Sequence, residues 1–467
     1  MRFARAPLGL AAALAACSTA APPPAPPGPP TTTAAPLAAT AKLAPVTAAA
    51  STPAAATATT PATASARCEP LHPELPSIAS GPGEPPPEPL QDFGTGTLDP
   101  FYEHVAAVLR GTATDHVRIG VYGDSNMTMD FITGRMRRVL QERHGDAGHG
   151  FVAAGQPWSH YRHMDVVHGT RGGVQPYACS TDPTGDRSYG LGCIVVEAGS
   201  GGRSFFATAE AGAPVGRSVD RFDVFYVKRK GYGSFEARVD GVTRATVDTA
   251  AAADELGFLR IEVDDGPHRL ELVATTAARV RLVGAALERT GKPSFVVDSF
   301  GVGSLNTQAQ SRRSPELNRQ MYARRPYDLL VYMTGANDIF TLDVTPSLLG
   351  EMIAADRRAL PQVAVLLVTP ADRGAGVSFP KTLEAVEQRR ALARANETAL
   401  WDMWQAMGGM SSMSRFRLRD LSIEDATHFN EKGGAWIADR LVYALWQGLA
   451  RYLEAHPRAG CERAAAP

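Results

Sequence analysis

The sequence predicts an α/β protein: a three-layer α/β/α domain built on a parallel sheet and split by an inserted antiparallel β-sandwich. Three observations predict it. Short apolar runs alternate with helical stretches from residue 90 to 164 and again from 291 to 455. Between them, over 165–290, helical periodicity disappears and short alternating segments separated by Gly and Asp replace it. Turns carrying Ser, Asn and His fall just past apolar runs, the end of a parallel sheet where chemistry gathers.

In chain order, Asp99-Pro100 followed by Phe101, Val105, Val108 and Leu109 gives a capped amphipathic helix stopped by Gly111. Val117 to Tyr122 is a short apolar strand, and Phe131 to Arg143 a helix closed by Gly145. The insertion follows, with strands expected at Phe222–Val227, Phe235–Val239, Leu259–Val263, His268–Val273 and Val280–Leu287. The α/β pattern resumes with a strand at 295–298, a helix at 315–324 and a strand at 329–333. A helix at 346–360, a strand at 363–368 and a helix at 383–396 come next. A brief strand at 400–402 and a long helix at 432–453 close the pattern.

The first residues read as an export signal. Arg2 and Arg5 precede a short apolar run, Leu8 to Ala16, which ends Leu14-Ala15-Ala16-Cys17. This resembles a bacterial lipobox, which implies that residues 1–17 are a lipoprotein signal segment, with Cys17 lipidated, left as the mature N-terminus and holding the protein to a membrane by its lipid anchor. The expected location is the cell envelope, at the outer membrane or facing the periplasm. Residues 18–66 are Ala, Pro and Thr with one charge, Lys42, and no aromatic residue. Such a tract cannot bury enough surface to offset its ordering entropy. At ~3.1 Å per residue in extended proline-rich form, it is a tether on the order of 100 Å long.

Forty-seven basic and 48 acidic residues leave a net charge of −1, with no basic run, which argues against a nucleic-acid partner. No metal-ligand spacing and no phosphate-binding glycine loop stand out, so neither a metal nor a cofactor is expected. In an exported protein, Cys68, Cys179, Cys193 and Cys461 are disulfide candidates with three possible pairings. A local Cys179–Cys193 loop and an end-to-end Cys68–Cys461 staple are preferred.

The chemistry sits in four short blocks: Gly123-Asp124-Ser125, Gly301-Val302-Gly303-Ser304, Gly335-Ala336-Asn337-Asp338 and Asp425-Ala426-Thr427-His428. A serine hydroxyl is a weak nucleophile until a base takes its proton, so Ser125 needs His428, and His428 needs Asp425 to fix its tautomer. Asp-x-x-His occurs four times, but Asp146/His149 lies in a Gly-rich turn after a helix, Asp165/His168 at the entry to the insertion and Asp265/His268 in a β-turn. Only Asp425/His428 follows the final strand and precedes the closing helix. The absence of Gly-x-Ser-x-Gly argues against an α/β-hydrolase elbow.

Order and content of these blocks resemble the SGNH (GDSL-like) hydrolases, over about 90–160 and 293–455. The resemblance implies Ser125 as nucleophile, Asp425 and His428 as its acid–base partners, and an oxyanion hole of the Ser125 N–H, a block-two N–H and the Asn337 amide. Block two offers Gly303 or Ser304 for that N–H. The inserted sandwich on an exported, tethered chain is similar to the architecture of bacterial peptidoglycan O-acetylesterases. That implies O-acetyl ester hydrolysis on an acetylated glycan or peptidoglycan. A lipase or carboxylesterase and a non-catalytic wall-binding lipoprotein are the alternatives. Asn126 is expected to be a first-turn residue or a substrate contact. Trp158, His160, Tyr161 and His163 are expected at the junction with the insertion or in a sugar- or acyl-binding surface. Within the insertion, Tyr226 and Tyr232 are candidates for stacking on sugar.

Overall fold

The computed structural model describes residues 68–181, 185–374 and 378–461. Cys17 and the tract at 18–66 lie outside the described residues.

The α/β domain is built on six strands in the spatial order Gln91–Asp92, Ala399–Trp401, Ala364–Val368, Leu329–Met333, Val117–Gly123 and Phe295–Gly301. All neighbours pair in parallel except the first, a two-residue antiparallel edge. The interior strands are apolar on both faces, as helices covering both sides require. Val117, Ile119 and Val121 join Val331, Leu366 and Trp401 in one core, under Phe101, Met136, Leu441 and Leu445 of the helices Asp99–Arg110, Phe131–His144 and Glu431–Ala455. Tyr122, Leu330, Tyr332, Leu367 and Leu400 face the other way, toward Tyr322, Ile353 and Leu392 of the helices Pro315–Arg324, Thr345–Ala359 and Pro380–Ala395.

The insertion is a sandwich of two antiparallel sheets. One has the order Val242–Asp248, Ser234–Val239, Arg269–Ala274, Arg203–Thr208, Val166–Arg171. The other runs Glu255–Gly266, Val219–Lys228, Val280–Glu288, Ile194–Ala198, Val174–Ala178. Gly150–Ala153 also pairs antiparallel with Val280–Glu288. The sandwich sheet therefore reaches back before residue 165. A four-residue strand beside Gly148 and Gly150 leaves too little alternation to be seen in the sequence. Tyr226 is 4% exposed and packs edge-on against Phe235 inside the sandwich, so it offers no face to a sugar. Tyr232 is half-buried, donates its hydroxyl to Glu197 and lies under the Arg229 guanidinium.

A buried charge network mounts the sandwich on the sheet. Glu288, at the end of the last sandwich strand, takes hydrogen bonds from Arg118 and Arg325. Arg325 also grips Asp298 at 2.6 and 2.9 Å, and Asp298 accepts the Phe151 N–H at 2.8 Å. Burial pushes the Glu288 carboxyl up, but Arg118 and Arg325 outweigh it and hold the group well below the carboxylate range. Cys68 pairs with Cys461, with Cα atoms 5.6 Å apart, and Cys179 with Cys193 at 5.3 Å.

Candidate active site

The first block turns sharply because two glycines leave room for it. The strand ends Gly123 and Gly301 are register partners. A Cβ on Gly123 would lie 2.0 Å from the Met127 side chain, and one on Gly301 2.6 Å from the Met127 backbone. The chain can thus fold back after Gly123 into the single 3₁₀ turn Ser125–Met127, which lifts Ser125 off the sheet end. Asp124 caps that turn by accepting the Asn126 N–H at 3.1 Å, and its carboxyl also faces the Ala336 N–H of the third block. Burial pushes the Asp124 carboxyl above its ordinary value against these N–H groups.

The fourth block arrives at this turn from the other end of the chain. His428 Nε2 lies 2.7 Å from Ser125 Oγ, and His428 Nδ1 lies 2.5 Å from Asp425 Oδ2. Ala426, in the left-handed region at φ 52°, makes the tight bend, and the other Asp425 oxygen takes the Thr427 and His428 N–H groups at 2.9 and 3.0 Å. Burial raises the Asp425 carboxyl, but the hydrogen bonds from the His428 ring and the two N–H groups bring it below its ordinary value. The line opens to solvent: the His428 side chain is 34% exposed and that of Asp425 42%.

The second and third blocks are tied together beside it. Asp338, buried, accepts the N–H and hydroxyl of Thr307 and a bond from buried Arg389 at 2.9 Å. Asn337 donates one amide hydrogen to Leu305 O at 3.1 Å, which leaves the other available to a substrate oxygen. In block two, Gly303 is buried and Ser304 is exposed, at φ 58°. A Cβ on Gly303 would lie 3.1 Å from the Trp158 ring, so this indole walls the oxyanion loop. His160 stacks on Trp158 at 6.3 Å, and the Arg162 N–H ties the segment that carries Trp158 to Thr128 O at 3.0 Å.

Other residues singled out in the sequence fall elsewhere. His268 bonds Asp240 and the Asp264 carbonyl, while Asp265 pairs with Arg289. His149, His163 and His168 form a junction core with Tyr161: His149 Nε2 and His163 Nδ1 are 3.2 Å apart, and the His163 N–H donates to His168. Burial lowers His163 to about 4 and His168 to about 3, so the rings are neutral. Asp130, His149 and His163 bring three ligand atoms within 4.8 Å of one another. The Asp130 oxygens are already taken by Thr133, Arg137 and the Met164 N–H, and Arg137 is a cation beside them, so the group fits a metal poorly. Sequence reasoning missed the contacts of Asn126: its amide bonds the backbone on both sides of His428. The only available signal was its place beside Ser125, since an amide both donates and accepts.

The chain is similar to known proteins in part of its sequence and in its fold. The family model of GDSL-like lipases and acylhydrolases matches residues 261–441, which includes Asn337, Asp425 and His428 and leaves out Ser125, on the far side of the insertion. A solved structure described as a peptidoglycan O-acetylesterase in action is similar, with a TM-score of 0.64 at 23% identity, over 77% of this chain and 99% of that one. At that identity the likeness speaks for the fold. A salicylyl-acyltransferase from a tetracycline biosynthetic pathway aligns at TM-score 0.27 and 14% identity, over 64% of this chain and 97% of that one. A family two carbohydrate esterase from Cellvibrio japonicus aligns at 0.25 and 10%, over 65% and 98%. Neither of these two carries weight at such scores. No curated protein matches the chain. Residues 261–441 thus match the GDSL-like lipase/acylhydrolase family model, the fold is similar to that of the peptidoglycan O-acetylesterase structure, and the protein is an ester hydrolase.

Proposed function

We propose that the protein is a serine esterase that removes O-acetyl groups from peptidoglycan or another acetylated polysaccharide. The observation that carries the mechanism is the Ser125–His428–Asp425 line, with contacts of 2.7 and 2.5 Å. His428 Nε2 takes the Ser125 proton as Oγ attacks the ester carbonyl. Asp425 holds Nδ1–H toward itself and stabilises the cation that forms. The Ser125 N–H, a block-two N–H from Gly303 or Ser304, and the Asn337 amide receive the developing oxyanion, each donor of this kind typically contributing ~10²–10³ in rate. His428 then gives its proton to the leaving sugar oxygen, and water, activated by the same base, releases acetate from the acyl-enzyme.

The glycan substrate is supported by the open placement of the triad and by the Trp158–His160 stack beside the oxyanion loop. Cys17 and the tether extend the proposal: a lipid-anchored enzyme of the cell envelope reaching a polymer away from its membrane. A lipid-ester reading has one observation in its favour. Phe340, Phe379 and Ile423 are exposed, and each lies close in sequence or by contact to Asn337, Ala336 or His428. The experiment is acetate release from O-acetylated peptidoglycan against hydrolysis of acetyl, butyryl and octanoyl aryl esters. Acetate release with turnover falling steeply beyond acetyl supports deacetylation. Turnover that rises with acyl length, with no acetate from glycan, assigns a lipase.

A further inference from the structure

Asn126 stands between the serine and the histidine loop and touches both. Its Oδ1 accepts the Phe429 N–H at 2.9 Å, and its Nδ2 donates to Thr427 O at 3.3 Å. These two backbone groups flank His428, so one amide side chain grips the main chain on either side of the base. The grip has a fixed root. The Asn126 N–H is bound to the Asp124 carboxylate, and the Met127 N–H to Asp124 O at 3.0 Å, inside the turn that presents Ser125. The His428 turn also rests on solvent-exposed Asp425, on the Gly374 N–H to Ala426 O bond at 2.8 Å, on the Ile423 N–H to His428 O bond at 3.0 Å, and on the bridge between Ser422 and Phe429. Among these supports, the Asn126 contacts are the ones that refer His428 to the nucleophile turn, across 303 residues of sequence.

We infer that Asn126 is a positioning residue, one that sets the distance and direction of His428 Nε2 from Ser125 Oγ. The inference rests on the proposed roles of Ser125 and His428. An apolar residue at 126 takes the side-chain partner from Thr427 O and from the N–H of buried Phe429. The reacting pair loses its common reference, and a misplacement of ~1 Å can cost about 10²-fold in rate. An aspartate there keeps the acceptor for Phe429 N–H, cannot donate to Thr427 O, and brings a negative charge toward His428.

The test compares the parent with Asn126→Ala, Asn126→Asp and Ser125→Ala in folded protein, on 4-nitrophenyl acetate and with a fluorophosphonate probe. For Asn126→Ala, kcat should fall about 10- to 100-fold with KM unchanged, and phosphonylation should slow in proportion. Asn126→Asp should recover part of the loss, and the acid limb of its kcat/KM profile should move to higher pH, since a nearby carboxylate favours protonated His428. A purely structural role would change thermal stability and the fraction of labelled sites without moving that limb. An Asn126→Ala protein with kcat within twofold of the parent, or with its loss confined to KM, overturns the inference. Undiminished labelling of Ser125→Ala would instead remove the proposed nucleophile, and the Asn126 assignment with it. Dependence on Ser125 with indifference to Asn126 removes the Asn126 assignment alone.

Discussion

Replacing Arg325 by leucine should loosen the mount between sandwich and sheet by a calculable amount. The guanidinium gives Asp298 two hydrogen bonds at 2.6 and 2.9 Å, Glu288 one at 2.6 Å and the Tyr327 hydroxyl one at 3.1 Å. Without it Glu288 keeps Arg118 and Arg221, whereas Asp298 keeps only the Tyr327 hydroxyl and the Phe151 N–H among the described residues. Removing one partner of a buried ion pair costs ~3–5 kcal/mol. Because Glu288 stays paired, we expect about 3 kcal/mol, the low end of that range. At ~2.1 cal/mol/K per residue over roughly 390 described residues, this lowers Tm by about 4 °C.

Acid should shrink the difference. Glu288 is held below its unfolded value, so its contribution is present above roughly pH 4.3 and is lost as pH falls through the folded value. The variant has less of that contribution to lose. Scanning calorimetry of parent and Arg325→Leu at pH 7 and pH 3.5 measures both effects. A Tm drop below about 1 °C at pH 7, or a gap that widens on acidification, would refute the reasoning.

Two further outcomes are expected. His428→Ala should lower turnover of 4-nitrophenyl acetate by about 10⁴-fold or more, while His149→Ala, His168→Ala and His268→Ala keep turnover per folded molecule near the parent's; active-site titration with the rate on each titrated sample checks this. Cys17→Ala in the full chain should move the protein from the membrane to the soluble fraction and abolish labelling by a palmitate analogue, as fractionation and in-gel detection would show.

The α/β frame was legible because its elements are long relative to their punctuation. The helices Asp99–Arg110 and Pro315–Arg324 carry proline in the first turn, and Asp99–Arg110 is closed by Gly111. The buried strands Leu329–Met333 and Ala364–Val368 are uninterrupted apolar runs. The sandwich was legible in five of its strands, among them the six-residue Ser234–Val239 and Arg269–Ala274. Val219–Lys228 and Val280–Glu288 were found, while Val166–Arg171, Val174–Ala178 and Arg203–Thr208 were not. Those strands carry glycine, proline or arginine and are half-exposed, so no continuous apolar signal marks them.

Three of the four blocks stand just past a strand end, at Gly123, Gly301 and Met333, whereas the fourth follows the helix Ser412–Leu418. What no spacing could reveal was contact between distant turns: Asp124 with Ala336, Trp158 against Gly303, or Asn126 with Thr427 and Phe429. Tyr226 was misjudged for a related reason. An alternating strand states which residues share a face but not which face is inside, and the neighbour that covers Tyr226, Phe235, lies on another strand.

The central claim is that Ser125 is the nucleophile. Its most direct measurement is mass spectrometry of the intact protein and its peptides after reaction with a fluorophosphonate. We expect one phosphonyl group per parent molecule, on Ser125, with loss of esterase activity in step with labelling. Ser125→Ala should take up none while retaining the parent's thermal unfolding. A phosphonyl group on any other residue of the parent, or full esterase activity in folded Ser125→Ala, would contradict it.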